Sequence, residues 1–135
     1  MALTVTPTMK GMVTAPADHQ RLIGWNLASD RATVTGALLE LFGTDLRPRL
    51  AGIATPVLVI ATWIGWRDSP DATVRGSTVQ TFRDQYAALP QLHFVVSDTA
   101  RHFVMFDDLR WFVGQLDGFL ADPDAAVRDR GFPPG

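Results

Sequence analysis

The spacing of apolar residues along the chain switches between helical and continuous patterns, and each switch marks an element. Pro16, with Thr14 before it and Asp18 in the first turn, predicts a helix start. Leu22, Ile23 and Leu27 give this helix a short apolar face, ending near Asn26 to Ser29. Ser29 or Asp30 can accept a bond from an unpaired first-turn amide and so open a second helix. Val34, Ala37, Leu38, Leu41 and Phe42 then fall at helical spacing, and Gly43 predicts a left-handed stop.

Asp45 to Pro56 reads as a connector punctuated by Pro48, Gly52 and Pro56. The run Val57-Leu58-Val59-Ile60-Ala61 is β-branched and non-alternating, which predicts a strand buried on both faces. Thr62 to Thr73 reads as a loop with Gly65 and Pro70. Val74 to Leu89 is a helix with Val79, Phe82, Tyr86 and Leu89 on one side, closed by Pro90. Leu92 to Val96 is a second buried strand, followed by a loop from Ser97 to Met105. Asp107 or Asp108 caps a last helix whose stripe is Leu109, Phe112, Val113, Leu116, Phe119 and Leu120. Beyond Pro123 the tail is polar and is expected to be mobile.

The order strand, helix, strand, helix after residue 56 is that of parallel βα units with right-handed crossovers. Ligands of such sheets sit at the carboxyl ends of the strands. The loops Thr62 to Thr73 and Ser97 to Met105 are therefore where chemistry is expected.

Composition narrows the chemistry. The chain has 135 residues, 47% of them hydrophobic, enough for one folded domain. Twelve Lys and Arg against fourteen Asp and Glu leave a net charge of −2, which offers no field for phosphate backbones or acidic lipids. Nucleic acid is not expected as a partner. The absence of cysteine removes disulfides, thiolate nucleophiles and zinc-thiolate sites and fits a reducing compartment. The longest apolar run falls far below the roughly 18 residues of a membrane span. Met1 to Met12, with Lys10 and threonines, does not read as a secretory signal. The expectation is a cytoplasmic chain with no membrane contact.

His102 is the leading candidate for chemistry. It lies in the loop after the second strand, where a rigid scaffold can hold an imidazole for general acid/base work. Asp68, in the loop after the first strand, can orient the ring of His102 and stabilise the imidazolium; Asp71 can do the same. Trp63 and Trp66 share that loop and can wall an apolar substrate pocket. His93 alternates with Leu92 and Phe94 inside a strand and reads as structural, and His19 reads as an exposed helix residue. Three scattered histidines give no ligand pair at metal spacing. No metal and no cofactor is expected.

From about Asp45 to Leu120 the chain resembles the C-terminal part of an α/β-hydrolase. The stretch Asp45-Leu46-Arg47 through Leu50, Ile53 and Pro56-Val57-Leu58-Val59-Ile60 is similar to the family's approach to its penultimate strand after the cap. His102-Phe103-Val104-Met105-Phe106-Asp107, with Trp111-Phe112 and Phe119-Leu120 behind it, resembles the catalytic-histidine loop and closing helix. The resemblance implies an α/β fold in three parts: residues 1–44 a helical cap remnant, 45–121 parallel strands flanked by helices, and 122–135 a flexible tail. It also implies His102 as general base, with Asp68 in the acid's place in chain order, though Trp63 to Arg67 delay that carboxylate beyond the family's short turn.

The nucleophile is where the sequence departs from the family. The family's G-x-S-x-G elbow is absent, and the four serines, Ser29, Ser69, Ser77 and Ser97, lie outside any such motif. At roughly 30 residues per βα unit, a complete sheet with its cap needs more than about 200 residues. The expected function is hydrolysis of an ester or related acyl bond in a small apolar substrate, the nucleophile coming from an N-terminal hydrolase half. The alternative is a catalytically inactive fragment acting as an assembly module, since a two-stranded parallel sheet leaves its edges and faces open. That reading predicts a homo-oligomer.

Overall fold

The computed structural model describes residues 11–67 and 75–124. It is a mixed α/β structure in which helices flank a two-stranded parallel sheet. Two helices come first, α1 (Pro16–Ala28) and α2 (Arg31–Gly43), followed by a 3₁₀ helix (Arg47–Gly52) and strand β1 (Val57–Thr62). A short α3 (Ile64–Arg67) and then α4 (Arg75–Tyr86) lead to strand β2 (Leu92–Ser97). The chain closes with a short α5 (Val104–Asp107) and α6 (Leu109–Ala121).

The helix starts follow the predicted chemistry. Pro16 stands at the first turn of α1, where its missing N–H costs nothing. Asp30 caps α2, its carboxylate accepting the Thr33 amide at 2.8 Å. Of the two aspartates offered for the last helix, Asp108 is the cap, accepting from the Trp111 amide at 3.2 Å.

The strands pair in parallel from Val57 with Leu92 to Thr62 with Ser97. Successive side chains point to opposite faces, and each face of β2 meets a different helix. His93 is buried, sits edge-on to Phe119 of α6 at 4.7 Å, and its Nε2 meets the Pro123 carbonyl at 2.6 Å. A carbonyl oxygen only accepts, so this nitrogen carries the proton and the ring is structural. On the other face Phe94 lies under the guanidinium of Arg83 from α4, 5.0 Å from the ring centre.

Several expectations are corrected. The strands are not buried on both faces: apart from Ala61, β1 is half-buried throughout, because two strands and the described helices do not complete the outer layers. Gly43 provides no left-handed stop; no described glycine has positive φ, and α2 ends by passing into extended backbone at Thr44. The connector holds the 3₁₀ helix, and the two loops hold α3 and α5. Helices this short carry no apolar period to read. His19 is half-buried, its Nε2 donating to the Val13 carbonyl at 2.8 Å. Among the described residues no helix is long and apolar enough to cross a membrane.

Much of the buried core sits at the carboxyl ends of the strands. Val13 and Ala100 are fully buried, and Ala61, Ile64 and Val104 are nearly so. They come from β1, from both loops and from the segment before α1, so the region expected to hold the chemistry is also deeply buried.

Candidate functional site

Because the register ends on Thr62 beside Ser97, Trp63 and Asp98 emerge next to each other from neighbouring strands. Strands in a sheet lie about 4.8 Å apart, and the two side chains join: the Trp63 indole N–H donates to the Asp98 carboxylate at 2.7 Å. Arg75, at the start of α4, grips the same carboxylate through Nε at 2.5 Å and a terminal nitrogen at 3.0 Å. The hydrogen bonds from Arg75, helped more weakly by that from Trp63, outweigh desolvation and hold the Asp98 carboxyl below its ordinary value of 3.8. The guanidinium of Arg67 lies 5.9 Å from the Trp63 ring. Trp63, expected to wall a pocket, is placed by these bonds as a strut between the two loops.

Ser97 ends β2 by a local turn. Ser97 is only 1% exposed, and its hydroxyl accepts from the Ala100 amide at 3.1 Å. From there the chain runs through Ala100 to His102. The imidazole is exposed, and no hydrogen bond joins it to another described residue. Its one described ring contact is edge-on to Phe103 at 4.9 Å and 90°. Phe103 continues to Phe106 at 5.9 Å, and Phe106 to Trp25 of α1 at 6.0 Å.

The loop itself is tightly held. Asp108 accepts from the Thr99 hydroxyl at 2.9 Å, and Asp107 accepts from the Arg101 amide at 2.8 Å. Asp107 also takes the amide and the hydroxyl of Thr14, at 2.8 and 3.0 Å. By sequence these aspartates have only helix-cap roles. Their adjacency in Asp107-Asp108 was the available signal, since one residue alone suffices for a cap.

Asp68 and Asp71 lie outside the described residues, as does the side chain of Trp66. Trp63 and His102 stand on the two loops at the same end of the sheet. Among the described residues no group of three or more His, Asp or Glu side chains is placed to hold a metal ion. A shallow depression along the first turns of α6, lined by Asp108, Arg110, Trp111, Gly114 and Gln115, does not include His102. An exposed, solvated imidazole on a fixed loop can take a proton from water or from a hydroxyl brought to it. No protein-family model matches the chain, and neither the curated proteins nor the solved structures contain a match.

Proposed function

We propose that this chain is the C-terminal part of an α/β-hydrolase-type enzyme in which His102 is the general base for cleaving an ester or related acyl bond. The observation that carries the reading is the place of His102: an exposed imidazole on a firmly held loop directly after the second of two parallel strands. That is the end of the sheet where such folds assemble their sites. The acid is Asp68 or Asp71, both in the chain between β1 and α4. The nucleophile and its oxyanion donors come from a separate N-terminal half, because no G-x-S-x-G elbow occurs in the sequence. Trp63 and Trp66 favour a small apolar substrate. No cofactor is invoked.

The test is co-expression with the adjacent upstream reading frame, followed by a chromogenic ester assay on wild type and His102→Ala. Loss of turnover in the variant supports the reading, and equal activity in both sinks it.

A second reading, an inactive hydrolase fragment serving as an assembly module, is favoured by α2. Leu38, Leu39, Leu41 and Phe42 are between 46% and 83% exposed, and apolar patches of this kind mark interaction surfaces. It calls for a homo-oligomer, and a monodisperse monomer in light scattering would contradict it.

A further inference from the structure

We infer that Asp107 is a positioning residue for His102, fastening the loop that carries the imidazole to the segment Gly11–Thr14. The inference rests on the hydrolase reading for its significance, while the fastening itself is a matter of geometry.

One carboxylate holds three donors from two segments. Oδ1 takes the Thr14 amide at 2.8 Å, and Oδ2 takes the Thr14 hydroxyl at 3.0 Å and the Arg101 amide at 2.8 Å. Arg101 directly precedes His102. Phe103 directly follows it, and the Phe103 amide donates to the Met12 carbonyl at 3.1 Å. The backbone on both sides of His102 is thereby bound, and both bonds lead to the same strap. Thr14 and Asp107 are 93 residues apart in sequence, so nothing local would bring them together.

The strap is itself fixed. Val13 is fully buried, and the Gly11 carbonyl lies close enough to α3 that a β-carbon at Gly65 would stand 3.1 Å from it. Gly11–Thr14 therefore lies between the two loops at the carboxyl ends of the strands. Capping does not account for Asp107, because Asp108 caps α6 and Asp107 ends a four-residue helix. What the bonds accomplish is the removal of backbone freedom on each side of one exposed imidazole. A general base needs that, since misplacement by about 1 Å can cost about a hundredfold in rate.

The test uses NMR on the full chain, reading the His102 ring signal and the hydrogen exchange of the Arg101 and Phe103 amides. Phe103 stands edge-on to His102 and shifts its ring protons, so Phe103→Leu supplies the unshifted reference. In Asp107→Ala the His102 signal should move toward that reference and the two amides should exchange at least about tenfold faster. The His93 signal, set by Phe119, should stay in place. Thr14→Ser should keep the wild-type readings, and Thr14→Val should move them part of the way.

Unchanged His102 readings in Asp107→Ala would overturn the proposal. Should that variant lose the His93 signal as well, the isosteric Asp107→Asn decides by the same readings, and no change there would overturn it. Neither reading requires turnover, so the ester assay can fail while the fastening stands, or the reverse.

Discussion

α2 and α6 are both thirteen residues long, and each begins on an aspartate whose carboxylate accepts an amide of the first turn. Beyond that they differ. Phe119 of α6 packs edge-on against the buried His93, and the residue that anchors His93, Pro123, lies just past the helix end. Every residue of α2 is exposed, including Phe42 at 83%. Capping and periodicity make a helix, and they are silent on whether anything lies against it. An isolated helix of this length is marginal in water, so α2 lacks the tertiary support that α6 has.

The two helices should respond unequally to equivalent truncations. Phe119→Ala should lower unfolding stability by about 2 kcal/mol, less than the roughly 3 to 5 that a fully buried aromatic loses, because Phe119 is only half-buried. Phe42→Ala should change it by less than about 0.5 kcal/mol. Urea unfolding followed by circular dichroism measures both. Equal losses would mean that α2 is packed after all.

The caps sharpen the same contrast. Removing either aspartate should cost its helix about 1 kcal/mol. In Asp108→Ala that loss should appear in global unfolding, since Phe119 of α6 packs on the buried His93 and the same carboxylate holds Thr99. In Asp30→Ala it should appear as faster amide exchange confined to α2, with the global midpoint unmoved.

What was legible in the sequence divides along the same line. Helices α1, α2, α4 and α6 and both strands carry their own signals in period and capping, and the structure has them where those signals lie. The loop placement of His102 follows from the strand before it. The strap was not legible, because no spacing rule connects Thr14 to Asp107; that contact exists only once the sheet has brought its carboxyl ends under the first segment. An apolar ring is what the sequence pattern shows at Trp63, but an indole N–H at a strand end also needs an acceptor, and Asp98 is the residue that the register supplies.

A smaller effect separates local from long-range ion pairs. Asp45 is held by its near neighbour Arg47, whose hydrogen bonds push its carboxyl down to about 2. Asp98 is held by Arg75 across 23 residues and is also lowered. A carboxyl lowered in the folded state stabilises it above the ordinary value, and that contribution fades as pH falls from about 4 through the folded pKa. Carbon NMR should give Asp45 a midpoint near 2 and Asp98 one below 3.8. Arg75→Gln should raise Asp98 alone, and Arg47→Gln should raise Asp45 alone. Only the first should also loosen the loops after β1 and β2, because the Asp45 pair ties two neighbouring residues and leaves no distant element to release.

The smallest expected change in stability carries the most information about α2. Leu39→Ser combined with Phe42→Ser should leave the unfolding midpoint within about 0.5 kcal/mol of wild type, since both side chains already face solvent. If a second copy covers this helix, wild type should sediment as an oligomer and the double variant as a monomer. Stability measured at high concentration would then differ between them, because association stabilises the folded state by mass action. A wild type that sediments as a monomer, unchanged by the double variant, would remove self-association as the reason for an apolar α2. The helix would then await a different surface, such as the separate N-terminal half invoked in the proposed function. Repeating the sedimentation with that half present separates the two, because only a surface that buries Phe42 should bind wild type and not the variant.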